Sequence, residues 1–178
     1  YVDVPEMPYQ EIPIPPGASR SDTWLAGVND SGKIVGWYAA PDPNDPESKI
    51  SYAALWQVLP DKTIGDPINL DDSTDGHLIR IADINNAGVI CGNLDGWPTI
   101  AWLEGSVLKT SKLDWDPLFF GADATTLNDA PLGNEKLTIV GKMWRDDIDE
   151  RTRMRAYAWR PFDKENPTTV LGTFGGYH

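Results

Sequence analysis

Asn29-Asp30-Ser31-Gly32-Lys33-Ile34-Val35-Gly36 recurs as Asn85-Asn86-Ala87-Gly88-Val89-Ile90-Cys91-Gly92, and the fold is read from that repetition. A third version starts at Asn128-Asp129-Ala130 and passes through a longer turn into Leu137-Thr138-Ile139-Val140-Gly141. Each copy leads to a second landmark: Ala53-Ala54-Leu55-Trp56, Thr99-Ile100-Ala101-Trp102 and Ala156-Tyr157-Ala158-Trp159. The leading asparagines are 56 and 43 residues apart, and the closing tryptophans 46 and 57. A repeat of this length is one supersecondary unit, stacked in a row or set in a ring. Such frameworks present surfaces more often than they build a single catalytic centre.

Chemistry of the repeat specifies strands. Asn and Asp tolerate left-handed backbone and hydrogen-bond to their own turn, while Gly takes positive φ without a steric penalty. Alternating segments precede the turns: 23–28, 79–84 and 124–127. β-Branched runs follow: Ile34-Val35, Val89-Ile90 and Thr138-Ile139-Val140. Two strands around a Gly-containing turn make a hairpin. The Trp-ending landmark supplies a third strand. Ile68-Asn69-Leu70, Lys112-Leu113-Asp114-Trp115 and Thr169-Val170-Leu171-Gly172 supply a fourth, and Glu11-Ile12-Pro13-Ile14 looks like the same strand placed ahead of the first copy.

The expectation is a single all-β domain over 1–178, with about three four-stranded antiparallel units near 11–65, 66–111 and 112–176. Residues 1–14 form an edge strand or arm, broken by Pro5, Pro8 and Pro13. Four-stranded units around an axis give a β-propeller-like arrangement, but closed propellers have roughly four blades or more. A β-trefoil, a three-sheet prism or an open array completed by another subunit are the alternatives.

Bulk properties exclude some functions. A net charge of -12 opposes nucleic-acid binding, where Lys and Arg must neutralise phosphates. The same charge opposes adsorption to anionic lipid, and no apolar run is long enough to span a bilayer. The one cysteine, Cys91, stands where Val35 and Val140 stand, so it reads as a small buried apolar residue. His77 and His178 leave no histidine-rich metal site.

These landmarks resemble the bacterial extracellular HAF-repeat family. Gly27-Val28-Asn29-Asp30-Ser31-Gly32-Lys33-Ile34-Val35-Gly36 is similar to its first element, Tyr52-Ala53-Ala54-Leu55-Trp56 to its second, and Leu171-Gly172-Thr173-Phe174-Gly175-Gly176 to its third. The resemblance covers most of 11–176, with insertions around 40–51 and 142–155. It implies a secreted or surface β-propeller-like protein with no catalytic motif to carry over. An extracellular or cell-surface location follows, with a signal peptide removed, which fits a chain opening at Tyr1.

Candidate chemistry sits in few places. Asp71, Ser73 and Asp75 alternate oxygen side chains ahead of Gly76, like the first half of a calcium loop. The twelfth loop position is Ala82, where a bidentate Glu would be needed, so a polar turn competes with calcium as the reading. No other cofactor is implied. Two acidic stretches, Asp42–Glu47 and Asp146–Glu150, read as solvated loops or as a face for cations or a basic partner. Arg151, Arg153 and Arg155 partly neutralise the second.

Eight tryptophans divide into two sets. Trp56, Trp102 and Trp159 are repeat-equivalent and belong to the packing between units. Trp37, Trp97 and Trp144 lie beyond the repeat Gly near the insertions, as rim residues that stack on sugar rings or fill an interface.

Together these features describe a non-enzymatic extracellular β-repeat module for protein interaction or self-assembly. A carbohydrate-binding, lectin-like module is the alternative, and a hydrolase using surface carboxylates such as Asp71 with Asp75 a further one. Self-association or another protein is the expected partner, with a glycan next.

Overall fold

The computed structural model describes residues 10–70, 79–105, 107–114, 121–144 and 154–172. Apart from a single 3-10 turn at Arg20–Asp22, its regular structure is strand. The first sheet holds β1 (Thr23–Val28), β2 (Lys33–Asp42), β3 (Asp45–Gln57) and β4 (Ile68–Asn69). A second holds β5 (Ile79–Ile84), β6 (Ile90–Leu94), β7 (Trp97–Glu104) and β8 (Val107–Lys112). The third holds β9 (Gly121–Leu127), β10 (Ile139–Trp144), β11 (Met154–Trp159) and β12 (Thr168–Gly172). Each is an antiparallel meander in sequence order. The expected all-β class with three four-stranded units is therefore observed.

The repeat sequence builds each hairpin the same way. Asn29 Oδ1 accepts from Ser31 N–H at 3.1 Å and Lys33 N–H at 3.0 Å, which folds the chain back on itself. Asn85 Oδ1 does this with Val89 N–H at 2.9 Å, and Asn128 Oδ1 with Thr138 N–H at 2.9 Å across the longer turn. Gly32 and Gly88 take φ of 74° and 78°, values costly for residues with a Cβ. The closing glycine of each copy has another cause. A bulge in the preceding strand pushes the carbonyl oxygens of Trp24, Arg80 and Asp123 into the space where Cβ atoms on Gly36, Gly92 and Gly141 would lie.

Register divides each sheet into two faces. Ile34, Gly36, Tyr38, Ala54 and Trp56 lie on what we term the front of the first sheet, and Val35, Trp37, Ala53 and Leu55 on its back. Val35 and Leu55 join one core with Ile81, Ile84, Ile90, Leu94 and Ala101 from the front of the second sheet. Cys91 and Ile100 on the back of the second sheet join another with Ile139, Met143, Tyr157 and Trp159 from the front of the third.

Front thus packs on back, twice, in one direction. The first strands also approach one another, β1 to β5 and β5 to β9, so the sheets converge on that side as propeller blades do. Among the described residues no strand of the first sheet packs extensively on the third. The sheets form a propeller-like row, two interfaces long.

Several local expectations change. The fourth strand of the second sheet is Val107–Lys112, paired with β7, rather than a strand beginning at Lys112. Leu113 and Leu70 are nevertheless equivalent, each donating its N–H to the third strand, at 2.7 Å to Pro98 O and 2.9 Å to Ala53 O. Trp102 is not the equivalent of Trp56 and Trp159. Those two face Ile34 and Ile139, whereas Ala101 faces Ile90 and Trp102 stands one residue further, half-buried against the third sheet. The insertion around 40–51 is solvent-exposed over 43–47 as expected, but it is a hairpin tip rather than a separate loop. β2 and β3 pair as far as Pro41 and Lys49, the register shifts at Asp42, and Asp42 accepts from Asn44 N–H at 2.7 Å in the turn.

Ile12 and Pro13 behave as the leading fourth-strand segment expected from the sequence. Trp56 Nε1 donates to Pro13 O at 2.9 Å, as Trp159 Nε1 donates to Asp114 O at 2.8 Å. Ile12 packs on the front of the first sheet, as Leu113 packs on the front of the third. The described part of the arm lies on its own first sheet, not on β12.

Candidate functional site

Polar contacts between units repeat as regularly as the cores. Asn29 Nδ2 donates to Asn85 O at 3.0 Å, and Asn85 Nδ2 donates to Asn128 O at 2.8 Å and Ala130 O at 2.9 Å. One residue on, Asp30 N–H donates to Asn86 Oδ1 at 2.8 Å, and Asn86 N–H to Asp129 Oδ1 at 3.0 Å. The Asn-Asp-x-Gly motif is therefore a turn and a rung of a ladder linking the sheets. In the third turn the ladder ends on itself, because Asn128 Nδ2 donates to Lys136 O at 2.8 Å.

A second repeating contact lies away from the turns, where first and second strands pair Trp24 with Trp37, Arg80 with Asn93 and Asp123 with Lys142. From one sheet to the next, the second-strand residue meets the first-strand residue. The Arg80 guanidinium stands over the Trp37 ring at 5.4 Å, and Asn93 Nδ2 donates to the Asp123 carboxylate. Asn93 Oδ1 also accepts from Ala124 N–H at 3.1 Å.

These rules identify the ends of the row by what they leave uncovered. Leu25 and Val28 on the front of the first sheet are 52% and 64% exposed, whereas their equivalents Ile81 and Ile84 are each 4% exposed. On the back of the third sheet, Val140 is half-buried where Val35 and Cys91 are fully buried. Leu171, equivalent to the buried Leu70 and Leu113, is 56% exposed. Met154 is exposed and Trp144 half-buried on the same back face. The two ends expose the kinds of face that the chain buries against each other twice internally.

The sequence-selected tryptophans do not form one site. Trp37 stacks on Trp24 with centroids 3.9 Å apart and also meets Arg80, so its ring is engaged within the molecule. Trp97 opens β7 of the second sheet with Lys112 Nζ over its ring at 5.3 Å. Trp144 lies on the back of the third sheet against Gly121, with Lys142 Nζ 6.0 Å from its ring. Asp71, Ser73 and Asp75, and the acidic stretch 146–150, lie outside the described residues. Among the described residues no three His, Cys, Asp or Glu side chains converge as a metal site.

An open depression of about 760 Å³ lies between the third turn and the β11–β12 connection, lined by Asn134, Glu135, Lys136, Thr138, Arg160 and Asp163 among others. Its charges are mixed, and Arg160 donates to Thr169 Oγ1 at 3.3 Å. Burial, with the negative charge of Asp83 nearby, pushes the Cys91 thiol far up, so it is held protonated and inert.

No family model, curated protein or solved structure matches this chain. No helix among the described residues is long and apolar enough to cross a membrane.

Proposed function

We propose that the chain is a non-enzymatic, extracellular β-repeat module that works by assembly through the two end faces of its sheet row. One observation carries this reading: Leu25 and Val28 are more than half exposed at a position where the next unit buries Ile81 and Ile84 to 4% exposure. Apolar side chains that the repeat sets aside for an interface are left in water at the ends, and their burial is the driving force for association. The extracellular assignment rests on the resemblance of the repeat to HAF-repeat sequences. Light scattering and sedimentation over a wide concentration range test the reading. Mass rising above the 19.7 kDa chain with concentration is expected. A single species of chain mass from dilute to concentrated solution would overturn it.

A further inference from the structure

Resting on that assembly reading, we infer that the partner is a second copy of this chain, joined head to tail, and that two copies close a ring of six sheets. A front face belongs on a back face, as the first and second internal interfaces show. The inner strand on the front of the first sheet, with Leu25 and Val28, and the back of the third sheet lack that cover, whereas Tyr38, Ala54 and Trp56 on the rest of that front are buried beside Ile12 and Ala18. One copy's front fits the other copy's back, and the reverse contact forms at the same time. The pair is therefore symmetric although each contact joins unlike faces. Three sheets cannot close alone, since rings of such blades hold about four to eight, but two copies bring six.

The repeat names the contacts. Trp37 meets Arg80 and Asn93 meets Asp123, so the next pair in that series is Lys142 with Trp24 of the second copy. An ammonium and an indole face suit each other. Trp24 is 40% exposed, and Lys142 is exposed with its Nζ 3.5 Å from Asp123 Oδ2. Leu25 and Val28 then cover Val140 and its neighbours, as Ile81 and Ile84 cover Val35.

Two features make this junction weaker than those inside the chain. Ile12 already holds the place on the first sheet that Leu113 takes on the third, and Tyr38, Ala54 and Trp56 of the middle strands are buried beside it, so on this side the contact is made by the inner strand. The Asn ladder does not cross, because Asn128 is bonded to its own turn and Asp129 would face Asp30. With a net charge of -12 per copy, added salt strengthens the pair by screening repulsion.

Paired charge variants on the full chain provide the test. Leu25→Glu with Val28→Glu alters the front, and Lys142→Glu with Met154→Glu alters the back. These four side chains are exposed, so an unchanged circular-dichroism spectrum and a cooperative melt will certify each fold, any drop in Tm being no larger than the lost association explains. Wild type is expected to sediment as a reversible dimer. Each variant alone should weaken the dimer about tenfold or more. An equimolar mixture of the two should associate more tightly than either, since it contains one intact front–back junction. Trp24→Cys with Lys142→Cys in one chain should give a disulfide-linked dimer on mild oxidation, with Cys91 buried and silent.

A limiting mass other than twice the chain, or a dimer that only one of the two variant pairs weakens, would overturn the head-to-tail ring while leaving assembly intact. A wild type that never exceeds chain mass would overturn both.

Discussion

The second and third sheets follow the same repeat and differ in what lies beyond them. The second is covered on both sides, and Cys91, Ile100, Ile81 and Ile84 are each at most 4% exposed. The third is covered on its front alone, and Val140 is half-buried where Cys91 is fully buried. Equivalent side chains on equivalent strands thus have different surroundings because of position in the row. In repeat proteins stability is nearly a sum of units and neighbour interfaces. The terminal faces are then where stability is lowest and recognition most available.

The contrast sharpens with the tryptophans, where the largest effect is expected. Trp159 is 1% exposed, fills the front of the third sheet and donates to Asp114 O. Trp159→Ala leaves a large cavity and an unpaired carbonyl, and should cost about 3–5 kcal/mol in denaturant unfolding. Trp24→Ala removes a 40% exposed ring stacked on Trp37, and should cost under about 1.5 kcal/mol in the monomer. Equal losses would mean that the ends are as tightly built as the interior. The ladder gives the next contrast. Asn85→Ala removes two donors to the third turn and the acceptor for Val89, all at a buried position, and should cost about 2–3 kcal/mol. Asn128→Ala removes bonds within one exposed turn, and about 1 kcal/mol is expected. Among aliphatic residues, Ile81→Ala should cost about 2–4 kcal/mol. Leu25→Ala should stay within about 0.5 kcal/mol, since half of that side chain is already in water.

What the sequence carried was the local part. Asn-x-x-Gly, β-branched runs and closing tryptophans determine hairpins through backbone chemistry within one unit, and the three sheets follow from them. The placement of Ile12 and Pro13 ahead of the first copy was legible for the same reason, since the segment resembles the other fourth strands. Aligning the tryptophans by type hides a one-residue offset at Trp102, which the register from Gly92 reveals. Asp42–Glu47 is solvated as its charge implies, but the period of two through Trp37–Ala40 and Ile50–Ala54 carries the strands up to it, so it is a hairpin tip and not a separate loop. The end faces were illegible in any single copy. Leu25, Ile81 and Ala124 look alike as strand residues, and only the order of the sheets says which of them is left uncovered. The reason for the closing glycines was equally hidden, because it lies in the bulge of the preceding strand.

The smallest effect concerns the arm that covers the outer part of the first sheet. Glu11 and Arg20 pair at 2.5 Å, and the hydrogen bond and charge of Arg20 hold the Glu11 carboxyl below its ordinary range. Lys49 and then Ser19 lower Asp22, which ties the 3-10 turn to β3. A carboxyl lowered by folding contributes stability above its unfolded pKa, and that contribution is lost as pH falls through the folded value. The tether is therefore intact at neutral pH and released in acid below the usual carboxylate range. Both groups are solvent-exposed, so the change is local and salt weakens it. Hydrogen exchange in residues 10–22 should speed up on acidification, after correction for intrinsic rates, while the central strands β6 and β10, paired on both sides, keep their protection. Glu11→Gln should raise exchange in the arm at neutral pH and flatten the Glu11 part of this pH dependence. An arm unaffected by acid or by Glu11→Gln would show that Ile12 and the Trp56–Pro13 hydrogen bond hold it alone, and that this end of the row is closed as firmly as its interior.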